Sequence, residues 1–462
     1  MNILRSLRNK MGLSLEEASK QMGVSLKSLH NWEQGKNRPG PGSVKLICKF
    51  YQIEPHMISG SGYVSTVKED CNKGVQIDEI ELVDIGSLLK HDYFFIQLIS
   101  LGFNHRHTTS YEMLQRQVAT TLRRYQNMNE NETNRREALR ILALFPIGTY
   151  GLTTHPIPSS TLSRPEEVLP HIASGLTACW QLANGYDYQL AYTTLDKYIP
   201  TLTALVDQKT RYSKPAATLV AEAYTLKTIL AQHVKGLDLA ESYGLKAQQY
   251  ADIVQHQNLQ AISRAMLANV HFYQLKMDKA LSVLKEAETY LPKAHPSVRC
   301  NVQKKLAGIE ASLGHKQEAL HKLDQAYKSF YTLEPDTNSP LYANPYEGEV
   351  RIWEGYTLYH VRDLNNAYTA FSELLKPDVE VSERSRAEAR IQMVQAELLS
   401  PHRDMERCIK NWELGLQETI HLKSEQRFRE VYLAYVGMCT AWPDEKKIVE
   451  LRDQLKRWPT DD

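Results

Sequence analysis

A chain of 462 residues is too long for one compact core, so two or more domains are expected. Hydrophobic residues make up 42% of it and charged residues 24%, which is the balance of an ordinary soluble protein. The formal net charge is +1, so the chain as a whole is not a polycation.

The charge is concentrated near the start of the chain. Residues 1–60 hold nine Lys and Arg residues against four acidic residues, a net charge of +5, which leaves −4 for the other 402 residues. A small basic head on a mildly acidic body indicates that the head alone meets a polyanion.

Sequence features favour a cytoplasmic chain with no membrane partner. The first ten residues lack the apolar core of a signal peptide. The longest apolar stretch, Ala138–Leu152, contains Arg140 and Pro146 and is too short to span a bilayer comfortably. The six cysteines are far apart, without metal-ligand spacing, and are predicted to be structural thiols in a reducing compartment.

Five short helices are predicted in residues 1–60. The first ends at Gly12, and Ser14 and Glu17 then have the spacing of a capping box that begins the second helix. That helix is expected to bury Leu15 or Ala18 together with Met22.

The third helix is predicted over Leu26–Gln34, with Ser25 as its N-cap and Gly35 as its C-cap. Leu29 and Trp32 are expected to point inward. A fourth helix is predicted after Ser43, and a short fifth begins at Pro55.

These signals together resemble a known DNA-binding family. The run GLSLEEASKQMGVSLKSLHNWEQGKNRP is similar to the helix-turn-helix of the lambda-repressor-like, xenobiotic-response-element (XRE) type. The resemblance implies that the third helix lies in the major groove of a double-stranded DNA operator. One position departs from the pattern, because Leu15 stands where the family usually places a phosphate-binding Gln.

The outward side of the third helix supplies the candidate DNA contacts. Lys27 can donate to guanine, Asn31 can pair with adenine, and Leu26 can touch a thymine methyl group. Phosphate contacts are predicted for Ser25, Ser28, His30, Lys36, Asn37 and Arg38. The alternative is a solvated polar face that contacts nothing.

The segment after the head is less informative. Residues 61–74 are small and polar and are predicted to be a linker, and residues 75–165 are predicted to be a helical connecting region. His105 and His107 have the spacing of a metal pair but no third ligand, so neither a metal nor a cofactor is expected.

Residues 166–462 contain a repeat. The unit at 261–292 resembles a tetratricopeptide (TPR) repeat, which is two antiparallel helices packed through small residues. The small position of each first helix recurs as Cys179, Thr228, Ala268, Ala307, Gly355 and Ala396, and that of each second helix as Ala191, Ala240, Ala280, Ala319, Ala367 and Cys408. This resemblance implies an all-α protein in which a five-helix head precedes a TPR-like α-solenoid, closed by a capping helix near Glu445–Trp458.

The first helices of such a solenoid line a concave groove. Counting from the small positions predicts a peptide or partner groove formed by Trp180, Asn269, Phe272, Asn301, Lys304, Tyr356, Tyr359, Arg390 and Glu397. Asn amides pair with a peptide backbone, and aromatic rings hold its side chains. The alternatives are packing between repeats and a groove that holds only water.

The layout resembles bacterial ligand-regulated transcription factors, including peptide-sensing regulators of the RRNPP type. The resemblance implies a sequence-specific transcriptional regulator whose body senses a peptide or protein ligand and forms a homodimer. The alternative is a non-catalytic interaction scaffold tethered to DNA by its head. The chain lacks the P-loop, zinc-protease, nucleophile-elbow and Rossmann motifs, so an enzyme is not expected.

Overall fold

The protein is described here from a computed structural model. The structure describes residues 8, 13–34, 47, 50, 101, 102, 104, 111–128, 132–152, 159–184, 187–333, 340–343, 347–376, 379 and 381–458. Every regular element within these residues is a helix, which confirms the all-α prediction. The chain divides into two compact units, Met1–Ile80 and Glu81–Asp462.

The first unit contains two helices described in full, α1 (Leu15–Met22) and α2 (Leu26–Glu33). The predicted capping box opens α1: Glu17 N–H donates to Ser14 Oγ at 3.2 Å, and Ser14 N–H donates to Glu17 Oε2 at 2.8 Å. Gly23 ends the helix with φ at +72°, a left-handed conformation that glycine adopts without strain.

Helix α2 ends one residue earlier than predicted. Ser25 is its N-cap, as expected, but Glu33 is its last residue and Gln34 takes the C-cap position predicted for Gly35. The head core confirms the inward residues and consists of Ala18, Met22, Leu29, Trp32 and Ile47. Most of the other three predicted head helices, and the predicted linker 61–74, lie outside the described residues.

Within the described residues of the second unit, the first helices with defined bounds are α3 (Glu112–Met128), α4 (Glu132–Tyr150) and the single turn α5 (Ser159–Leu162). Buried residues of α3 and α4 share a hydrophobic core with the helix that follows, α6 (Pro165–Leu182). The helical character predicted for this region is therefore present, while its proposed boundary at residue 165 stays a prediction.

The remainder of the second unit is a series of helix pairs. After α6 the helices are α7 (Tyr188–Asp207), α8 (Ser213–Val234), α9 (Leu237–Val254), α10 (Gln257–Tyr273), α11 (Met277–Glu288), α12 (Pro296–Ser312), α13 (Lys316–Tyr331), α14 (Glu347–His360), α15 (Leu364–Glu373), α16 (Glu383–Leu399), α17 (Met405–Leu422), α18 (Glu425–Ala441) and α19 (Lys446–Leu455). Short 3-10 turns at Leu291–Lys293 and Leu341–Ala343 lie between pairs.

The repeat register predicted from small residues is confirmed. Each of the six first-helix positions lies on α6, α8, α10, α12, α14 or α16, and each second-helix position lies on the helix that follows; all twelve residues are buried. Gly355 shows why size matters, because a Cβ atom there would overlap the Phe371 ring of the paired helix. Small side chains let the two helices of a pair approach closely.

The end of the solenoid is closed by α19. Its apolar side chains Ile448 and Leu451 are buried against a third core that also contains Trp412 and Met438. A terminal element with one buried face and one polar face covers the last apolar surface of a repeat stack, as the sequence predicted.

Candidate functional site

The first candidate site is the outward face of α2 in the head. Leu26, Lys27 and His30 are exposed and Asn31 is half-buried, with Leu26 exposed to 42% despite its apolar side chain. Within the part of the chain that the structure describes, no hydrogen bond or ion pair engages the side chains of Lys27, His30 or Asn31. These groups are thus available for contacts outside the protein.

The two serines at the start of α2 have a structural role. Ser28 N–H donates to Ser25 Oγ at 3.1 Å, and the two hydroxyl groups lie 2.8 Å apart. The pair fixes the first turn of the helix, where unpaired backbone N–H groups favour an anion. Whether either hydroxyl also contacts phosphate remains a prediction.

An ion pair missed by the sequence analysis fixes the end of α2. The Arg8 guanidinium donates to both oxygens of Glu33, at 2.7 and 3.0 Å, and a third bond reaches the carbonyl oxygen of Leu13 at 2.8 Å. The available signal was an acidic residue directly after the inward Trp32. Lys36, Asn37 and Arg38, predicted to bind phosphate, lie outside the described residues.

The second candidate site is a cleft within the second unit. It encloses about 1070 Å³ of space that includes open solvent. Its walls are formed by the first helix of each pair, together with the 3-10 turn Leu341–Ala343. This is the surface on which the sequence analysis placed a ligand groove.

Three of the predicted groove residues line the cleft: Trp180, Asn269 and Asn301. Asn269 Nδ2 donates to Gln232 Oε1 at 3.2 Å, and Asn301 Nδ2 donates to the carbonyl oxygen of Ala343 at 3.3 Å. Neither Asn side-chain oxygen accepts a hydrogen bond from any described residue, and the buried Trp180 Nε1–H also has no partner there. The cleft therefore offers two acceptors and one donor to a ligand.

The structure corrects the placement of the other predicted groove residues. Phe272 and Tyr356 are buried in the second core, where their rings pack edge to face at 5.6 Å. Lys304 is fully buried and its ammonium lies 3.1 Å from Glu349 Oε2.

The last three also lie away from the cleft lining. Tyr359 is half-buried with its ring against His360. Arg390 Nε donates to Glu418 Oε1 at 2.8 Å. Glu397 is buried and accepts from the N–H of Asp404 at 2.8 Å. Arg390 and Glu397 thus connect α16 to α17 within one helix pair, and Tyr359 contacts its neighbour on α14.

The sequence analysis missed the charged part of the cleft. Five of its lining residues are charged: Lys305, Glu349, Arg384, Glu388 and Arg427. Arg427 lies 2.9 Å from Glu388, and Arg384 lies 3.0 Å from Glu349. Glu388 Oε1 additionally accepts from Tyr273 Oη at 3.0 Å and from Tyr356 Oη at 2.9 Å.

Burial and the neighbouring charges shift several pKa values here. Burial, followed by the nearby Lys304 ammonium, lowers the pKa of Lys305 to about 7. For Glu349 burial opposes ionisation, but the adjacent Lys304 and Arg384 cations prevail and lower its pKa to about 2. Burial, followed by Arg384 and Arg427, holds the pKa of His233 well below its usual value, so this side chain is neutral.

The cleft crosses the first helices diagonally, which explains the misplaced residues. It meets α8 and α10 near their C-terminal ends, at Gln232 and Asn269, and α16 and α18 in their first turns, at Arg384 and Arg427. The residues predicted from the small positions are those expected if every repeat presents the same part of its first helix to the groove. A per-repeat rotation, as in other solenoids, moves the inward position from one repeat to the next.

The described residues hold neither a metal-ligand cluster nor a membrane-spanning helix. In the described part of the chain, no group of three or more His, Cys, Asp or Glu side chains could hold a metal ion. His105 and His107 lie outside it. Cys179, Cys300, Cys408 and Cys439 are free thiols, and the first three are buried. None of the helices described is both long enough and apolar enough to cross a bilayer.

Comparison with known proteins supports the first site. Residues 4–58 match the family model described as Helix-turn-helix, so the head is a DNA-binding helix-turn-helix domain. No curated protein matches the chain. A solved structure described as "Crystal structure of APC/C hetero-tetramer Cut9-Hcn1" is similar over 76% of this chain and 74% of that one, with 12% identity and a TM-score of 0.32. That TM-score is too low to support a conclusion about this chain.

Proposed function

We propose that the protein is a sequence-specific DNA-binding transcriptional regulator whose repeat body senses a peptide or protein and forms a homodimer. The head supplies DNA binding through α2. Its readable groups, Leu26, Lys27 and Asn31, stand side by side and have no partner of their own in the described structure. Direct readout needs such groups at a helix face that fits the major groove.

The sensing role is supported by the polar cleft of the body. The side-chain oxygens of Asn269 and Asn301 are on neighbouring first helices, α10 and α12, and accept no hydrogen bond from any described residue. An extended peptide carries a backbone N–H at regular intervals, so two such acceptors can hold it in register. Asn301 already donates to a backbone carbonyl, that of Ala343, in the manner expected for a bound peptide.

Dimerisation is inferred from the geometry of DNA reading. One helix-turn-helix head reads a half-site, and two heads related by a two-fold axis read half-sites about one helical turn apart. A ligand in the body changes DNA affinity only if it favours one arrangement of the two heads. The proposed coupling therefore runs through the dimer contact of the body.

The test is a titration of cell extract and synthetic peptides against the full-length protein on its preferred duplex. The same titration is done on an Asn269→Ala, Asn301→Ala double variant. We expect a ligand to shift DNA affinity in the wild type and to have a much weaker effect in the double variant. An equal shift in both proteins would refute the cleft as the sensor. No shift in either protein would favour a scaffold tethered to DNA.

A further inference from the structure

We propose that Lys305 and Arg384 form an anion subsite in the cleft that binds a carboxylate group of the peptide. This inference rests on the proposed peptide-sensing function and names the chemistry that the ligand must carry. Both side chains line the cleft, one from α12 and the other from the first turn of α16.

Lys305 is a buried lysine with no ion-pair partner among the residues that the structure describes. The residue is only 5% exposed, and its ammonium lies 4.9 Å from the centroid of the Trp353 ring. No hydrogen bond or ion pair engages it anywhere in the described residues. A buried lysine without an ion-pair partner is pushed toward its neutral form, and an anion that enters the cleft would restore its charge.

The carboxylates of the cleft cannot supply that anion, since both are already engaged. Glu349 lies 3.1 Å from the Lys304 ammonium and 3.0 Å from the Arg384 guanidinium. Glu388 is paired with Arg427 at 2.9 Å and accepts from two tyrosine hydroxyls. Glu349 is thus shared by two cations, so Lys304, Lys305 and Arg384 together face one carboxylate.

Arg384 can orient the bound carboxylate through hydrogen bonds. One of its N–H groups donates to Glu349 Oε1, and its other N–H groups have no partner among the residues described. An ammonium and a guanidinium in one cleft can serve the two oxygens of a carboxylate.

Burial, followed by Lys304, lowers the pKa of Lys305 to about 7, which fits a site completed by an anion. The charged groups around it are Lys304 on its own helix, Glu349 on α14, and Arg384 and Glu388 on α16. A bound carboxylate would stabilise the ammonium form, because an adjacent opposite charge favours ionisation.

The experiment uses three pools of random N-acetylated hexapeptides, incubated with the full-length protein. One pool has free C-termini and no Asp or Glu, one is C-terminally amidated and contains Asp and Glu, and one is amidated and lacks both acids. Peptides that co-elute with the protein in gel filtration are identified by mass spectrometry. The first two pools distinguish a C-terminal from a side-chain carboxylate.

Four proteins are compared: the wild type, Lys305→Met, Lys305→Arg and the control Lys246→Met. Lys246 also lies over an aromatic ring, 5.5 Å from the Tyr224 centroid, but is exposed and outside the cleft. We expect the wild type to retain peptides from a carboxylate-bearing pool about tenfold more than from the third pool. Lys305→Met should lose this preference, while Lys305→Arg and Lys246→Met keep it.

The two proposals fail in different ways. If Lys305→Met retains the same peptides with the same preference while the Asn269→Ala, Asn301→Ala variant loses them, the carboxylate subsite is wrong and peptide sensing stands. If the wild type retains no peptide from any pool, both proposals are wrong. Circular dichroism of Lys305→Met separates loss of binding from loss of fold, and retention by Lys305→Arg shows that the charge is what matters.

Discussion

The Arg8 guanidinium and the Glu33 carboxylate form two hydrogen bonds, of 2.7 and 3.0 Å, and Glu33 is only 4% exposed at its side chain. Together with the bond from Arg8 to the Leu13 carbonyl, they tie the segment before α1 to the last residue of α2. The pair therefore connects the two ends of the described helix-turn-helix and positions the helix that reads DNA.

Breaking this pair should loosen the head. Glu33→Ala leaves the Arg8 guanidinium without its carboxylate, at a cost of about 3–5 kcal/mol for a pair this buried. We expect hydrogen exchange, followed by mass spectrometry, to speed up in residues 13–34. Glu16→Ala, an exposed acid on α1, is the control. Unchanged protection in Glu33→Ala would show that the pair does not stabilise the head.

The Asn31→Ala substitution should lower the affinity for the preferred duplex more than the affinity for random DNA. Its amide is predicted to form a bidentate pair with adenine, so the cost is roughly 1–3 kcal/mol on the preferred duplex and little on random DNA. Fluorescence anisotropy with both duplexes gives the two affinities. Gln21→Ala, an exposed amide on α1, should change neither. Equal losses on both duplexes would mean that Asn31 does not read bases.

The protein should bind its operator as a dimer. The preferred site is expected to be an inverted repeat with half-sites about one helical turn apart. Sedimentation velocity, with and without the duplex, measures the stoichiometry directly. A monomer under both conditions contradicts the dimer and the coupling built on it.

Glu222 should make the stability of the body depend on pH. Burial raises its pKa to about 7 from 4.5, and Gln115 Nε2 donates to its Oε2 at 2.8 Å. The folded state thus holds a proton that the unfolded state releases above pH 4.5, so stability falls as pH rises from 4.5 to 7.

The variant Glu222→Gln removes this dependence. It should be more stable than the wild type by about 1–3 kcal/mol at pH 8 and show almost no gain near pH 4.5. Urea denaturation at the two pH values tests this, with Glu450→Gln, on an exposed carboxylate, as the control. An equal gain at both pH values would exclude titration of Glu222 as the cause.

Helix packing predicts different effects of alanine substitution at two glycines. Gly355→Ala should destabilise the body by about 1–3 kcal/mol, because the new methyl group overlaps the Phe371 ring. At Gly415 the nearest atom to a new Cβ is Ile391 Cγ1 at 3.3 Å, so Gly415→Ala should be near neutral, helped by the helix propensity of alanine. Thermal unfolding of both variants compares them; equal losses would contradict the assigned packing.

Local rules were enough to predict the described part of the head and the repeats. Capping at Ser14 and Ser25, the turn at Gly23 and the buried small positions all depend on neighbours close in sequence, so their patterns are readable. Arg8 and Glu33 are 25 residues apart, and no spacing rule connects them. The sequence could propose Glu33 as part of a motif without showing which cation it meets.

The sequence predicted that the first helices form a cleft, but it predicted only some of the residues that line it. Asn269 and Asn301 were found because the small positions give the inward face of the middle repeats. Arg384 was missed because the lining position moves toward the helix N-terminus along the stack. Lys305 was missed because the lining lysine of α12 is one position after the predicted Lys304. Ion pairs such as Arg427 with Glu388 join helices that are distant in sequence, so their buried partners could not be assigned beforehand.

The most direct test of the account is selection of duplex DNA from a random pool by the full-length protein, compared with a Lys27→Ala, Asn31→Ala double variant. Direct readout by α2 predicts that the wild type enriches one inverted-repeat motif and that the double variant enriches it weakly or enriches a different one. Enrichment of the same motif by both proteins would show that these residues do not read the sequence. A wild-type pool without any enriched motif would contradict sequence-specific regulation altogether.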